Sequence, residues 1–347
     1  MGRFQVTINN RKYLHGIIAV LVLVIVVAMG AMSPVALATT ISPVRLELNS
    51  DPGEQVRTQV KITNTDDVTR KYYISAARFE TQGENGNPLI VPGDRSGLVS
   101  WLNFPTEVEI AARESKEIPV EINVPMSASP GGYFVALLAS IAPPANDGRS
   151  DVSLQSDTGT LLLFTVNGDY PKQDLIVEFG TKDDQSLFAH VPIQFFFRFQ
   201  NSGGDRAQPL GDITIRNIFG QVTKIVPANR SAGNVLPKSI RKFESAWVTT
   251  GDSGMEQFDD EVKEPHLPTF WSHVRYEWNN FAFGRYTADL KVTVNNDSSR
   301  SHSRTVSFWI IPWHLIMTVF AIIAAERLLG GLWRRARRKR RERREKQ

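Results

Sequence analysis

Three stretches of the chain carry residue types that could do chemistry. Gly251-Asp252-Ser253-Gly254 puts a serine in a glycine-flanked turn, a setting in which a hydroxyl can be presented as a nucleophile. That chemistry needs a histidine base, itself oriented by a carboxylate. The nearest upstream histidine is His190, in the strand-like run Phe188-Ala189-His190-Val191, unlike the setting of the base in trypsin-like serine proteases, and Met255, not glycine, follows the turn. An acidic surface turn is the better reading. Next come Asp259, Asp260, Glu261, Glu264, His266 and His273, oxygen- and nitrogen-rich enough to attract a cation such as calcium. Their spacing is irregular, and Pro265 and Pro268 interrupt them, so a solvated acidic loop is expected and no metal site is assigned. The third stretch holds Phe270, Trp271, Tyr276 and Trp278, four aromatics close together. Tryptophan and tyrosine are common interface anchors, and these four are the candidate partner-binding residues. Packing onto the domain that carries them, or rest at membrane headgroups, are the other uses for them. No catalytic residue and no cofactor are expected. The chain has no cysteine, which excludes disulfide scaffolds, zinc ribbons and thiol enzymes.

The elements that must position these residues begin with the two ends. Of 347 residues, the first 38 contain Arg3, Arg11 and Lys12, the uninterrupted apolar run Ile17 to Met29, and Ala36-Leu37-Ala38 after Pro34. That is the pattern of an export signal, 1–38, with an uncleaved anchor as the other possibility. Near the other end, Phe308 to Ala325 is 18 residues without Asp, Glu, Lys or Arg. At 1.5 Å per residue it covers about 27 Å, close to the hydrocarbon thickness of a bilayer. A membrane helix over 308–333 is expected, with Trp309, Trp313 and Trp333 at its two interfaces. Residues 334–347 hold ten Lys/Arg against two Glu, a basic tail of +8 that marks the cytoplasmic side. The tail directly follows a membrane span and lacks interleaved aromatics, so attraction to anionic lipid, not nucleic acid, is its reading. The pI near 9.2 belongs to this tail. Residues 39–307 hold 26 Lys/Arg against 33 Asp/Glu, an exterior of −7. The expected topology is single-pass at the cell membrane, with extracellular N-terminal domains and a cytoplasmic C-terminus.

Between the ends, side chains alternate with period two. Val56, Val60 and Ile62 share one face; so do Ile118, Val120, Ile122 and Val124; so do Val191, Ile193, Phe195, Phe197 and Phe199. Tyr286, Ala288, Leu290, Val292 and Val294 line another. Turn-rich stretches such as Asp51-Pro52-Gly53 and Gly83-Glu84-Asn85-Gly86-Asn87-Pro88 separate the runs. No amphipathic helix of useful length is expected before the membrane span. The fold class is all-β: two immunoglobulin-like β-sandwich domains in tandem plus one C-terminal transmembrane helix. The breaker-rich Pro143-Pro144-Ala145-Asn146-Asp147-Gly148 suggests a linker at 143–151. It separates a first domain, 39–142, from a second, 152–307, with an insertion at 248–282. Trp101 and Trp247 read as core aromatics.

Several of these stretches together resemble a bacterial surface family. They are Ile41-Ser42-Pro43-Val44-Arg45-Leu46-Glu47-Leu48, Ile62-Thr63-Asn64-Thr65, Ser100-Trp101-Leu102 and Pro130-Gly131-Gly132-Tyr133-Phe134. The second domain adds Asn201-Ser202-Gly203, Ile218-Phe219-Gly220, Gly233-Asn234-Val235-Leu236-Pro237, Arg241 and Phe283-Gly284-Arg285-Tyr286. Their order is similar to that of WxL-interacting cell-surface proteins, with a peptidoglycan-binding-type domain, a second partner-binding domain and a C-terminal membrane anchor. The acidic-aromatic insertion departs from that plan. The resemblance implies attachment to the cell surface and non-enzymatic binding of cell-wall polymer (peptidoglycan) or surface proteins. An envelope assembly or secretion factor that lends a strand to exported subunits is the alternative.

Overall fold

A computed structural model describes residues 39–91, 93–143, 158–248 and 266–344, with side chains to Arg335. The export-signal reading, most of the proposed linker, Ser253 with its turn, and Asp259, Asp260, Glu261 and Glu264 lie outside the described residues.

The first domain runs β1 (Thr40–Ser42), β2 (Arg45–Ser50), β3 (Gln55–Thr63), β4 (Arg70–Gln82), β5 (Asn87–Val91), a one-turn helix α1 (Leu98–Trp101), β6 (Leu102–Asn103), β7 (Glu107–Ile110), β8 (Ser115–Asn123), β9 (Gly131–Ser140) and β10 (Thr158–Val166). One sheet has the order β1-β3-β8-β6; the other is β2-β10-β9-β4-β5, with β7 also on β4. Ile41, Val60, Ile62, Ile118 and Val120 of the first sheet meet Tyr72, Ile74, Leu137 and Ala139 of the second in a shared core. The alternation seen in the sequence is what places them there.

The second domain follows with β11 (Asp174–Thr181), β12 (Leu187–Phe188), β13 (Ile193–Asn201), β14 (Pro209–Arg216), β15 (Val222–Pro227), β16 (Ser239–Trp247), helix α2 (Phe270–Asn279), β17 (Gly284–Val294) and β18 (Asp297–Ile310), then helix α3 (Trp313–Arg344). Its sheets are β11-β13-β16 and β12-β18-β17-β14-β15. Phe195, Phe197 and Phe199 face Ile213, Ile215, Ala288, Leu290, Val292 and Phe308 across the core. Each such fully buried large side chain contributes roughly 1.5–3 kcal/mol. Trp247 lies in this core, whereas Trp101 is half-buried against Tyr133, ring centroids 4.6 Å apart.

Three expectations need correction. β10, placed in the second domain by its position after the breaker-rich stretch, is a central strand of the first: it pairs antiparallel with β9 and parallel with β2. Breaker residues in a sequence do not say which domain the next strand joins. Phe308 does not open the membrane helix. It lies within β18, two residues before its end, pairs with Tyr286 and is fully buried. Hydropathy cannot separate the apolar end of a buried strand from the start of an apolar helix; the true boundary is Pro312, which has no N–H to lose at a helix start. The helix with a candidate span is therefore Trp313–Arg335. Finally, a helix does precede it. α2 begins at Thr269, whose side chain accepts from the Ser272 N–H while Ser272 Oγ accepts from the Thr269 N–H, and it ends at Asn280.

Candidate functional site: the two joints of the second domain

Antiparallel register fixes which residues share an end of the second domain. Gly284 of β17 pairs with Ile310, just before α3, and Arg216 of β14 pairs with Thr287. At the opposite end Val294 pairs with Asp297 and Pro209. α3 thus leaves from one end, and the loops that meet the first domain lie at the other.

At the α3 end, α2 is the clamp. Glu277 is fully buried. Its Oε1 accepts from His314 Nδ1 at 2.5 Å, and its Oε2 accepts from the backbone N–H of Leu315 at 2.8 Å. Leu315 belongs to the first turn of α3, whose N–H groups have no partner within the helix and whose dipole favours a negative charge. The carboxylate therefore caps α3 from a different helix. Around it the rings close ranks: His273 stacks on His314 at 4.2 Å and Trp313 on His314 at 3.7 Å. Tyr276 stands edge-on to His190 at 5.0 Å. His273 Nδ1 is buried with no hydrogen-bond partner among the described residues.

The structure splits the four aromatics singled out in the sequence. Phe270 packs on Trp271 and His314, and Tyr276 turns inward to His190. Trp271 and Trp278 point outward. Sequence reasoning missed Glu277 and His314. The signal was a lone acid inside an aromatic run and a histidine at the mouth of an apolar span, where ionisable groups need partners. Their separation of 37 residues hid the pairing. His266 and His273 do not assemble a metal site: no cluster of ligating side chains suited to a metal occurs among the described residues.

The other end is a seam against the first domain. Arg198 makes a two-pronged pair with Glu84, Nε to Oε2 at 2.8 Å and Nη2 to Oε1 at 2.5 Å, and also reaches Glu178. The Glu84 carboxyl is held below its ordinary value of 4.5, first by the hydrogen bond from Arg198 and further by the charges of Arg198 and Lys242. Glu47 accepts from Asn234 at 2.9 Å and from Arg206, which also donates to Thr165. Backbone bonds cross the seam as well, Gly132 N–H to Gly204 O and Lys242 N–H to Glu84 O. The Arg241 guanidinium lies where side chains on Gly86 and Gly233 would be, 2.3 and 2.8 Å from their ideal Cβ positions.

The larger sheet of the first domain is apolar on both faces near this seam. Val135 and Leu137 of β9, and Leu162 and Phe164 of β10, point to the core. Their neighbours Phe134, Ala136 and Leu138, with Leu161 and Leu163, form a second cluster on the outer face with Phe79 and Ile90. Leu236 of the second domain covers part of that cluster. Phe134, Leu138 and Leu161 stay half-buried, and Ser75 beside Leu138 is exposed.

No protein-family model matches the chain, and no curated protein does. Among solved structures it is similar to the class 5 fimbriae chaperone CfaA at 12% identity, covering 77% of this chain and 98% of that one, with a TM-score of 0.36. It is also similar to the complex of the Salmonella enterica SafA pilin with the SafB chaperone, at 9% identity, 80% and 99% coverage and a TM-score of 0.34. A third is the CsuC–CsuE chaperone–tip adhesion subunit complex of Acinetobacter baumannii, at 13% identity, 59% and 89% coverage and a TM-score of 0.32. These likenesses are distant. The tandem all-β architecture rests on the strand pairings of this chain.

Proposed function

We propose that the chain is a non-catalytic, single-pass membrane protein whose tandem sandwich, held outside the cytoplasm, binds a partner protein on the outer face of the β9–β10 sheet. One observation carries this reading. A sheet with one face in a core often shows water a polar second face, yet here the second face is apolar, and Phe134, Leu138 and Leu161 on it are only half-buried. An apolar face left only partly covered among the described residues gives a partner a place to bury side chains. Its Leu, Ile and Phe side chains suit protein side chains better than glycan hydroxyls, so a surface or exported protein is preferred to the wall polymer implied by the family resemblance. The envelope assembly factor, the alternative from the sequence, would work through a strand edge and not through this face. The fimbrial chaperones among the distant likenesses are named for subunits of that class, and at their TM-scores they add no weight. Among the described residues, the one helix long and apolar enough to cross a membrane, Trp313–Arg335, has no buried residue in its apolar window and supplies the tether.

The test is a photo-crosslinking residue at Leu161 of the full chain in its native cells, with a control at Lys116 on the opposite sheet. A discrete protein adduct from position 161 and none from 116 is expected. Adducts of the same pattern from both, or from neither, would overturn the reading.

A further inference from the structure

The second domain has one apolar end. β14 and β15 are joined at Asn217–Gly220, where Asn217 Oδ1 accepts from the Phe219 and Gln221 N–H groups and the turn presents Phe219 with 82% of its surface exposed. The register that pairs Arg216 with Thr287, three residues from Gly284, puts this tip level with the start of α3. Two loop residues beside Gly284, Phe281 and Phe283, are 63% and 59% exposed. α2 shows solvent the stripe Trp271, Arg275 and Trp278, at i, i+4 and i+7, with the tryptophans 68% and 70% exposed. The opposite end of the same domain carries Asn201-Ser202-Gly203-Gly204 and Asn295-Asn296-Asp297-Ser298, and the seam with the first domain lies there. Loops at the two ends of a soluble sandwich have no reason to differ in this way.

We propose that the apolar end is a lipid-docking surface. Phe219, Trp271, Trp278, Phe281 and Phe283 seat in the boundary between headgroups and acyl chains of the leaflet through which α3 enters, and Arg275 faces lipid phosphate. Tryptophan and phenylalanine on one face with a basic residue beside them is the composition of an interfacial helix. Lipid is the occupant because of continuity with α3. Glu277 fixes α2 against the first turn of that helix, so a bilayer around Trp313–Arg335 reaches this end before any protein partner does. The second domain then stands as a pillar. β17 has 11 residues, roughly 36 Å at 3.3 Å per residue, which sets how far the first domain is held from the membrane. The docking rests on the membrane anchoring proposed above, and the test separates the two.

The chain has no cysteine, so single substitutions can carry nitroxide labels. The full chain is reconstituted in phosphatidylcholine vesicles with Phe219→Cys, Trp278→Cys, Ser298→Cys or Ile322→Cys, and relaxation by oxygen is compared with relaxation by a water-soluble nickel chelate. Labels at 219 and 278 are expected to favour oxygen, as the label at 322 within α3 does, while the label at 298 favours the chelate. If 322 reads as buried in lipid while 219 and 278 read as water-exposed, docking is overturned and anchoring stands. If 322 itself reads as water-exposed, both fall. The labelled positions 219, 278 and 298 are exposed, and far-UV circular dichroism of each variant checks that the fold is kept.

Discussion

The second domain is joined to its neighbours in two different ways. Toward α3 the joint is a single buried carboxylate with two partners, Glu277 with His314 and the Leu315 N–H. Toward the first domain it is a distributed seam of half-exposed ion pairs, two backbone bonds and close glycine contacts. A charge taken fully out of water must be compensated locally, so removing one partner leaves the whole desolvation penalty behind. Half-exposed pairs are screened and individually weak. The first joint is therefore breakable by removing one partner, whereas the loss of any one ion pair leaves most of the second in place. A seam assembled from many small terms suits two domains that together frame the proposed binding face. A single lock suits a helix that must leave its domain at a fixed place.

The sharpest way to break this contrast is Glu277→Ala. It is expected to cost about 3–5 kcal/mol, seen as a large fall in thermal unfolding temperature of the detergent-solubilised chain and new protease cleavage within α2. Gly132→Val comes next. Its first side-chain carbon would fall 2.4 Å from Asp205 Oδ1 and 2.6 Å from the Phe134 ring, so the seam must shift. A loss of about 1–3 kcal/mol is expected, together with a changed interdomain distance by small-angle scattering. Arg198→Ala, at the most charged point of the seam, should cost about 1 kcal/mol or less, and raising the salt concentration should shrink that loss. A loss from Arg198→Ala as large as that from Glu277→Ala would erase the distinction between lock and seam.

Acid offers a finer probe. The Glu84 carboxyl is depressed in the folded chain by its hydrogen bond from Arg198. A depressed carboxylate contributes stability that is fully present above its ordinary value of 4.5 and is lost as pH falls through its lower folded value. The thermal unfolding temperature should hold from neutral pH down to about 4.5 and fall slightly below it, and Glu84→Gln should reduce that fall.

Much of the fold was legible because one face of each strand is buried. Phe195, Phe197 and Phe199, or Val292 and Val294, announce a core whatever the domain around them. The assignment of β10 was not legible, because strand pairing is a long-range fact and the nearest local signal was a run of breakers. α2 was hidden for a different reason. Its Phe, Trp and Tyr residues favour strands when judged alone, and the packing of Glu277, His273 and Phe270 against the start of α3 is what makes the segment worth folding as a helix. The candidate aromatics were visible by type. That Tyr276 turns inward, Phe270 lies against His314 while still exposed, and Trp271 and Trp278 point outward needed the helix to be known first.

The proposed binding face can be tested by separating recognition from folding. Leu161→Lys places a charge on the half-buried outer surface of β10 and leaves the core residues Leu162 and Phe164 untouched. Co-purification of the partner crosslinked through position 161 should be lost, with the thermal unfolding midpoint moved by no more than a few degrees. Retention of the partner at wild-type yield, or its loss only alongside collapse of the unfolding midpoint, would contradict a binding role for this face.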